Sequence, residues 1–149
     1  MEDDAMTRAD DAVSLFGQGF SCSQAVAAAF AGDFGLDRDT ALRVSQPFGG
    51  GIARRADWCG AITGAFLAIG LKHGRTRAED SAARERTYAL VQEFIRRFTA
   101  RHGHVHCKDL LGCDIGTPEG QKKAEELNLH KTRCEDYVRD AVALLEEIL

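Results

Sequence analysis

Five cysteines, Cys22, Cys59, Cys107, Cys113 and Cys134, are dispersed along a chain of 149 residues. A thiolate is both a nucleophile and a soft metal ligand. Cysteines that a fold gathers can therefore exchange disulfides or hold zinc or an iron–sulfur cluster. The spacing excludes the local versions of this chemistry. There is no C-x-x-C of the thioredoxin type, no pair of closely spaced cysteine couples of the zinc-finger or zinc-ribbon type, and no C-x-x-C-H haem attachment site. If Cys22, Cys59, Cys107 and Cys134 act together, tertiary structure must bring them together.

Their neighbours suggest how. Ser21-Cys22-Ser23-Gln24 reads as a capping box that puts Cys22 at the first position of a helix. Thr132-Arg133-Cys134-Glu135 reads as a second box, with Cys134 in its first turn. Asp57 offers an N-cap that places Cys59 in the first turn of the next helix. Cys107 precedes KDLLG, a candidate single helical turn. Free N–H groups and the positive end of the helix dipole stabilise an anion there, so these thiols are expected to have lowered pKa values. Arg54, Arg55 and Arg133 are placed to lower them further. On this reading Cys59 is the low-pKa thiolate and Cys22 or Cys134 its resolving partner. The competing reading makes each cysteine a small buried hydrophobe.

Near Cys107 stands the run His102-Gly-His104-Val-His106. In extended backbone the three imidazoles point to one face, and imidazole beside thiolate suits zinc, copper or iron. His104 or His106 is thus a candidate additional ligand, against a loop that merely happens to be histidine-rich. Cys113, six residues after Cys107, is either a local partner or a spare thiol.

Cys59-Gly60-Ala61-Ile62-Thr63-Gly64 resembles the CGAxxG motif of the C_GCAxxG_C_C family, which is called redox-active because of its cysteines. The family's upstream cysteine resembles Cys22, in Ser21-Cys22-Ser23-Gln24-Ala25-Val26. Its glycine-rich approach resembles Phe48-Gly49-Gly50-Gly51. Its third cysteine resembles Cys107, followed by Asp109-Leu110-Leu111-Gly112, and its fourth resembles Cys134. The resemblance covers nearly the whole chain, with Cys113 and the histidine run as additions to the pattern. It implies redox activity but no particular reaction or substrate.

The elements that must position these residues are helical almost throughout. Alanine is abundant, runs of β-branched residues are absent, and only Pro47 and Pro118 occur. Helices are predicted at 4–16, 23–34, 38–46, 58–73, 79–101, 118–129 and 133–148. Gly17 and Gly19, Gly32 and Gly35, Gly49-Gly50-Gly51 and Gly74 mark the breaks, and Thr117-Pro118 marks a start. The fifth helix carries Tyr88, Val91, Ile95 and Phe98 on one face, with Leu90 and Phe94 beside them. The last carries Val138, Ala141, Leu144, Leu145 and Ile148. In the fourth, Gly60, Gly64 and Ala68 fall four apart, which permits close helix approach or leaves room for a bound group. The expected fold is all-α, a compact bundle of about five to seven helices forming one domain over 1–149.

Composition fits a soluble globular chain, with 44% apolar residues, 28% charged residues and a net charge of −4. No basic stripe points to nucleic acid. The longest apolar stretch, Ala61 to Leu71, is too short to span a bilayer, so an integral membrane protein is not expected. The acidic start MEDDAMTRADDA is unlike a secretory signal, so a cytoplasmic location is expected, where thiols stay reduced. Three functions follow: thiol–disulfide or electron-transfer chemistry with an unidentified redox partner, a metal or iron–sulfur module ligated by the same cysteines, or a non-catalytic helical domain. The spacing is compatible with no cofactor, with zinc and with an iron–sulfur cluster, and the sequence leaves monomer and homodimer open.

Overall fold

The computed structural model describes residues 6–149. Most helices begin where a side chain can satisfy a free N–H. Thr7 and Asp10 form a capping box that opens α1 (Arg8–Gly17). Positions 4 and 5 of the predicted first helix lie outside the described residues. Ser21 and Gln24 form the expected box at α2 (Cys22–Ala31). Asp37 accepts from the Thr40 N–H to open α3 (Arg38–Ser45). The helices α4 (Gly60–His73), α5 (Ser81–His102), α6 (Cys107–Leu111), α7 (Pro118–Glu126) and α8 (Glu135–Ile148) follow. Asp80 caps α5, and Thr117 caps α7 ahead of Pro118. Among the described residues there is no strand, so the all-α expectation holds. None of these helices is long and apolar enough to cross a membrane.

Helix α4 is the centre of the molecule. Residues 60–65, Ala68 and Ile69 are buried, so it is apolar on nearly every side, as a core helix must be. Its small residues serve close packing. A Cβ at Gly64 would stand 2.6 Å from the Ser23 carbonyl oxygen, and one at Gly60 would stand 3.1 Å from the Cys22 Cβ. Around it, Phe30, Phe94, Phe98, Leu144 and Leu145 are fully buried. Helix α8 turns Val138, Ala141, Leu144 and Leu145 inward as its pattern predicts. Helix α5 uses only part of its predicted stripe. Phe94 and Phe98 are buried, whereas Tyr88 is 57% exposed, because the first half of the helix runs clear of the core.

Two local structures differ from the sequence expectation. Between α3 and α4 the chain makes a left-handed helical turn. Gly50, Gly51, Ile52, Ala53 and Arg54 have φ between +52° and +70°. Left-handed backbone costs a non-glycine residue about 1–2 kcal/mol. The turn is held by the Arg54 N–H donating to the Gly49 carbonyl (3.3 Å) and by the Asp57 N–H donating to that of Gly51 (2.9 Å). The second difference lies before α8. Thr132 does not cap anything; its hydroxyl donates back to the Asn128 carbonyl at 3.0 Å. A π-helical turn, His130–Cys134, runs directly into α8. Cys134 therefore sits inside a continuous helical segment, and the predicted capping box at 132–135 is absent.

Candidate functional site

The glycine turn and the π-turn face each other across a cavity of about 840 Å³. Cys22, Cys59, Cys107 and Cys134 all line it. Four chain segments deliver them. Cys22 is the first residue of α2. Cys59 directly precedes α4 in extended backbone, and no side chain caps that helix. Asp57, the predicted cap, instead meets Arg55 at 3.2 Å. Cys107 opens α6 as expected.

A short antiparallel bridge between Trp58 and His106 locks two of these segments together. The Cys59 N–H donates to the Val105 carbonyl at 2.8 Å, and the Cys107 N–H donates to that of Asp57 at 2.6 Å. Cys134 is tied to the same region because the Tyr137 hydroxyl (2.9 Å) and the Arg133 guanidinium (3.0 Å) both donate to the Leu110 carbonyl. All five cysteines are free thiols.

The electrostatics reverse the sequence expectation for Cys59. Its thiol is pushed up to about 12, chiefly by burial. The Ala61 and Ile62 N–H groups do act on it in the predicted, lowering direction, but desolvation outweighs them. Cys107 is likewise pushed up to about 12, by burial and then by the neighbouring thiols. Cys22 is raised despite its place at a helix start. The interaction with the Cys134 sulfur favours its protonated form, it is half-buried, and the other cavity cysteines repel its charge.

Cys134 goes the other way, down to about 6. The neighbouring Cys22 thiol lowers it most, burial opposes this, and the His130 imidazole lowers it further. The stabilised thiolate is thus Cys134, which owes nothing to a helix N-terminus. Arg133, expected to assist it through charge, is engaged with the Leu110 carbonyl instead.

His130 is a cavity side chain that the sequence reading did not single out. It lines the cavity, and it packs against Phe16 with ring centroids 6.1 Å apart. Its imidazole pKa is raised by the bond to Cys134. The spacing His130-x-x-x-Cys134 was the available signal, since residues four apart share a helix face. The histidines singled out from sequence lie elsewhere. His102 meets Asp140 at 2.8 Å, His104 is exposed, and His106 sits edge-on to Trp58 at 5.7 Å. Neither His104 nor His106 lines the cavity, because the Trp58–His106 bridge turns their segment along its outside. Cys113 is half-buried and also absent from the lining.

Four converging thiols form a donor set suited to a soft metal or cluster. No group of three or more Cys, His, Asp or Glu side chains among the described residues is disposed to hold a metal ion as the side chains stand.

A model of the family described as "Putative redox-active protein (C_GCAxxG_C_C)" matches residues 20–148. No curated protein and no solved structure matches the chain. The matched span takes in every cavity cysteine and both turns that face each other across the cavity, and the chain belongs to the C_GCAxxG_C_C family.

Proposed function

We propose that the protein is a dithiol redox protein in which Cys134 and Cys22 exchange two electrons with a disulfide partner. The observation that carries this reading is that Cys22 and Cys134 line the same cavity and shift in opposite directions, Cys134 towards its thiolate and Cys22 towards its thiol. The Cys134 sulfur attacks one sulfur of the partner disulfide, forming a mixed disulfide and releasing the other sulfur as a thiolate. Cys22 loses its proton and attacks the Cys134 sulfur, closing the Cys22–Cys134 disulfide and releasing the second thiolate. Cys22 and Cys134 are oxidised and the partner is reduced to two thiols. His130, as donor to the Cys134 sulfur, supports the thiolate before attack.

One titration tests this. Stoichiometric oxidation of metal-free protein should lower the five free thiols to three, and Cys22→Ala or Cys134→Ala should abolish that loss. Loss of thiols that persists in both variants contradicts the reading.

A second reading is favoured by a different observation, that Cys59 and Cys107 share the cavity although a dithiol needs neither. On it, Cys22, Cys59, Cys107 and Cys134 hold zinc or an iron–sulfur cluster, which supplies a structural tie or one-electron transfer when bound. The residues fit in donor type. Their thiols must draw closer than they stand and give up protons that burial now retains. Cys59→Ala separates the two readings, leaving the loss of two thiols intact in the first and removing bound metal in the second.

A further inference from the structure

We infer that the substrate of the dithiol is a low-molecular-weight organic disulfide and not a disulfide on a folded protein. This rests on the dithiol reading above and adds the class of molecule that reaches it. The argument begins with access. Cys134 is 6% exposed, and Cys59 and Cys107 beside it are 5% and 9% exposed. Thiol–disulfide exchange needs direct contact of the attacking sulfur with a sulfur of the substrate. The substrate disulfide must therefore enter the cavity, because the Cys134 sulfur does not come out to the surface.

The cavity has the anatomy of a small-molecule pocket. Its volume of about 840 Å³ lies within the roughly 300–1,000 Å³ of ordinary ligand sites. Cys59, Cys107 and Cys134 are its buried thiols, Cys22 is half-buried beside them, and Phe16, Phe20, Leu110, Leu111, Ile115 and Tyr137 supply apolar wall. Leu110, Leu111, Ile115 and Tyr137 are themselves buried, so this wall belongs to the core and is not a loose surface flap. The remaining lining includes Gln46, Arg54, Gln121, Glu125 and His130, all exposed, which form a polar rim. A protein disulfide carries main chain on both sides of each sulfur. Bringing one to Cys134 would require that rim and wall to part. A free organic disulfide needs only to pass the rim.

The exchange balances without a further reactant. One organic disulfide is reduced to two thiols and Cys22 and Cys134 are oxidised to one disulfide; the Cys22 proton goes to one released thiolate, and because Cys134 enters as a thiolate the other takes its proton from solvent.

The test uses the full chain, reduced and metal-free. Its oxidation is followed with glutathione disulfide and, separately, with a folded protein carrying a surface disulfide of matched reduction potential. We expect the small disulfide to react at least about tenfold faster. Gln121→Trp, which places a large side chain at the rim, should slow the small disulfide by about tenfold or more. Gln46→Trp is the second rim variant, used where circular dichroism shows that the first has not folded. Equal rates for the two oxidants, or a rate for glutathione disulfide that neither folded rim variant lowers, overturns the inference. Diamide, a small oxidant that is not a disulfide, keeps the two levels distinct. If diamide closes Cys22–Cys134 but glutathione disulfide is no faster than the protein disulfide, the substrate class alone is wrong. If no oxidant closes Cys22–Cys134, the dithiol reading fails and this inference fails with it.

Discussion

His130 and Cys134 stand four residues apart on one π-helical turn, both line the cavity, and the imidazole favours the Cys134 thiolate. A π-turn carries an extra residue per turn relative to an α-helix and recurs at functional sites. Here it sets an imidazole and a thiol on the cavity side of one segment while α8 continues unbroken behind them.

The first prediction concerns which thiol reacts. At pH 6.5, iodoacetamide should label Cys134 first and Cys59 last among the cavity cysteines, because the thiolate is the nucleophile and Cys59 keeps its proton. Peptide mapping after brief labelling checks this. Cys59 appearing as the fastest site would reinstate the helix-start argument and contradict the electrostatics described above.

The second concerns pH. Cys134 is held down to about 6, so its alkylation rate should rise as pH passes through that value and then level off. His130→Asn removes one of the two donors that hold it down. If the midpoint moves up by about one unit, the rate at pH 6.5 falls by roughly threefold, from the change in thiolate fraction. An unmoved midpoint would remove His130 from the site. The same shift has a stability sign. A lowered folded pKa stabilises the fold most above the unfolded thiol value, and that contribution is lost as pH falls through about 6.

The third concerns alkaline stability, where the sign is opposite. Cys59 and Cys107 are raised to about 12, well above the ordinary thiol value. Their contribution is complete below the unfolded value and is lost as pH rises towards the folded one. Each group fully in that window lowers stability by up to about 1.4 kcal/mol per pH unit. Thermal melts under reductant between those two values should show a steeper decline for wild type than for Cys59→Ala. Parallel slopes would contradict the burial of the Cys59 thiol.

Much of the fold was legible because helix starts and stops are written in short local signals. Ser21 with Gln24, Asp37, Asp80 and Thr117-Pro118 all cap where their side chains predict. The four cysteines singled out by the central motif and the cysteine order all line one cavity. Their individual chemistry was not legible, because it depends on what lies beside them in space. A helix start lowers a thiol pKa, but complete burial outweighs it at Cys59. Cys134 gains its stabilisation from Cys22, more than a hundred residues earlier in the chain, which no local pattern could report. The apparent capping box at Thr132 failed because the helix had already begun at His130.

The fourth prediction tests the packing that places Cys22. Gly64 meets the Ser23 backbone, and a Cβ there would lie 2.6 Å from the Ser23 carbonyl oxygen. Gly64→Val must push α2 away from α4 and should cost about 3 kcal/mol. Because Cys22 adjoins Ser23, the variant should also raise the Cys134 pKa by weakening the thiol contact. A wild-type melting temperature together with a wild-type Cys134 titration would contradict this account of the α2–α4 contact.

The central claim is that Cys22 and Cys134 form the working couple. Its most direct measurement is differential alkylation of the metal-free protein before and after stoichiometric diamide, followed by peptide mass mapping. The account predicts one disulfide-linked peptide pair containing Cys22 and Cys134, with Cys59, Cys107 and Cys113 recovered as free thiols. A disulfide that joins any other pair, or the recovery of Cys22 and Cys134 as free thiols, would contradict it.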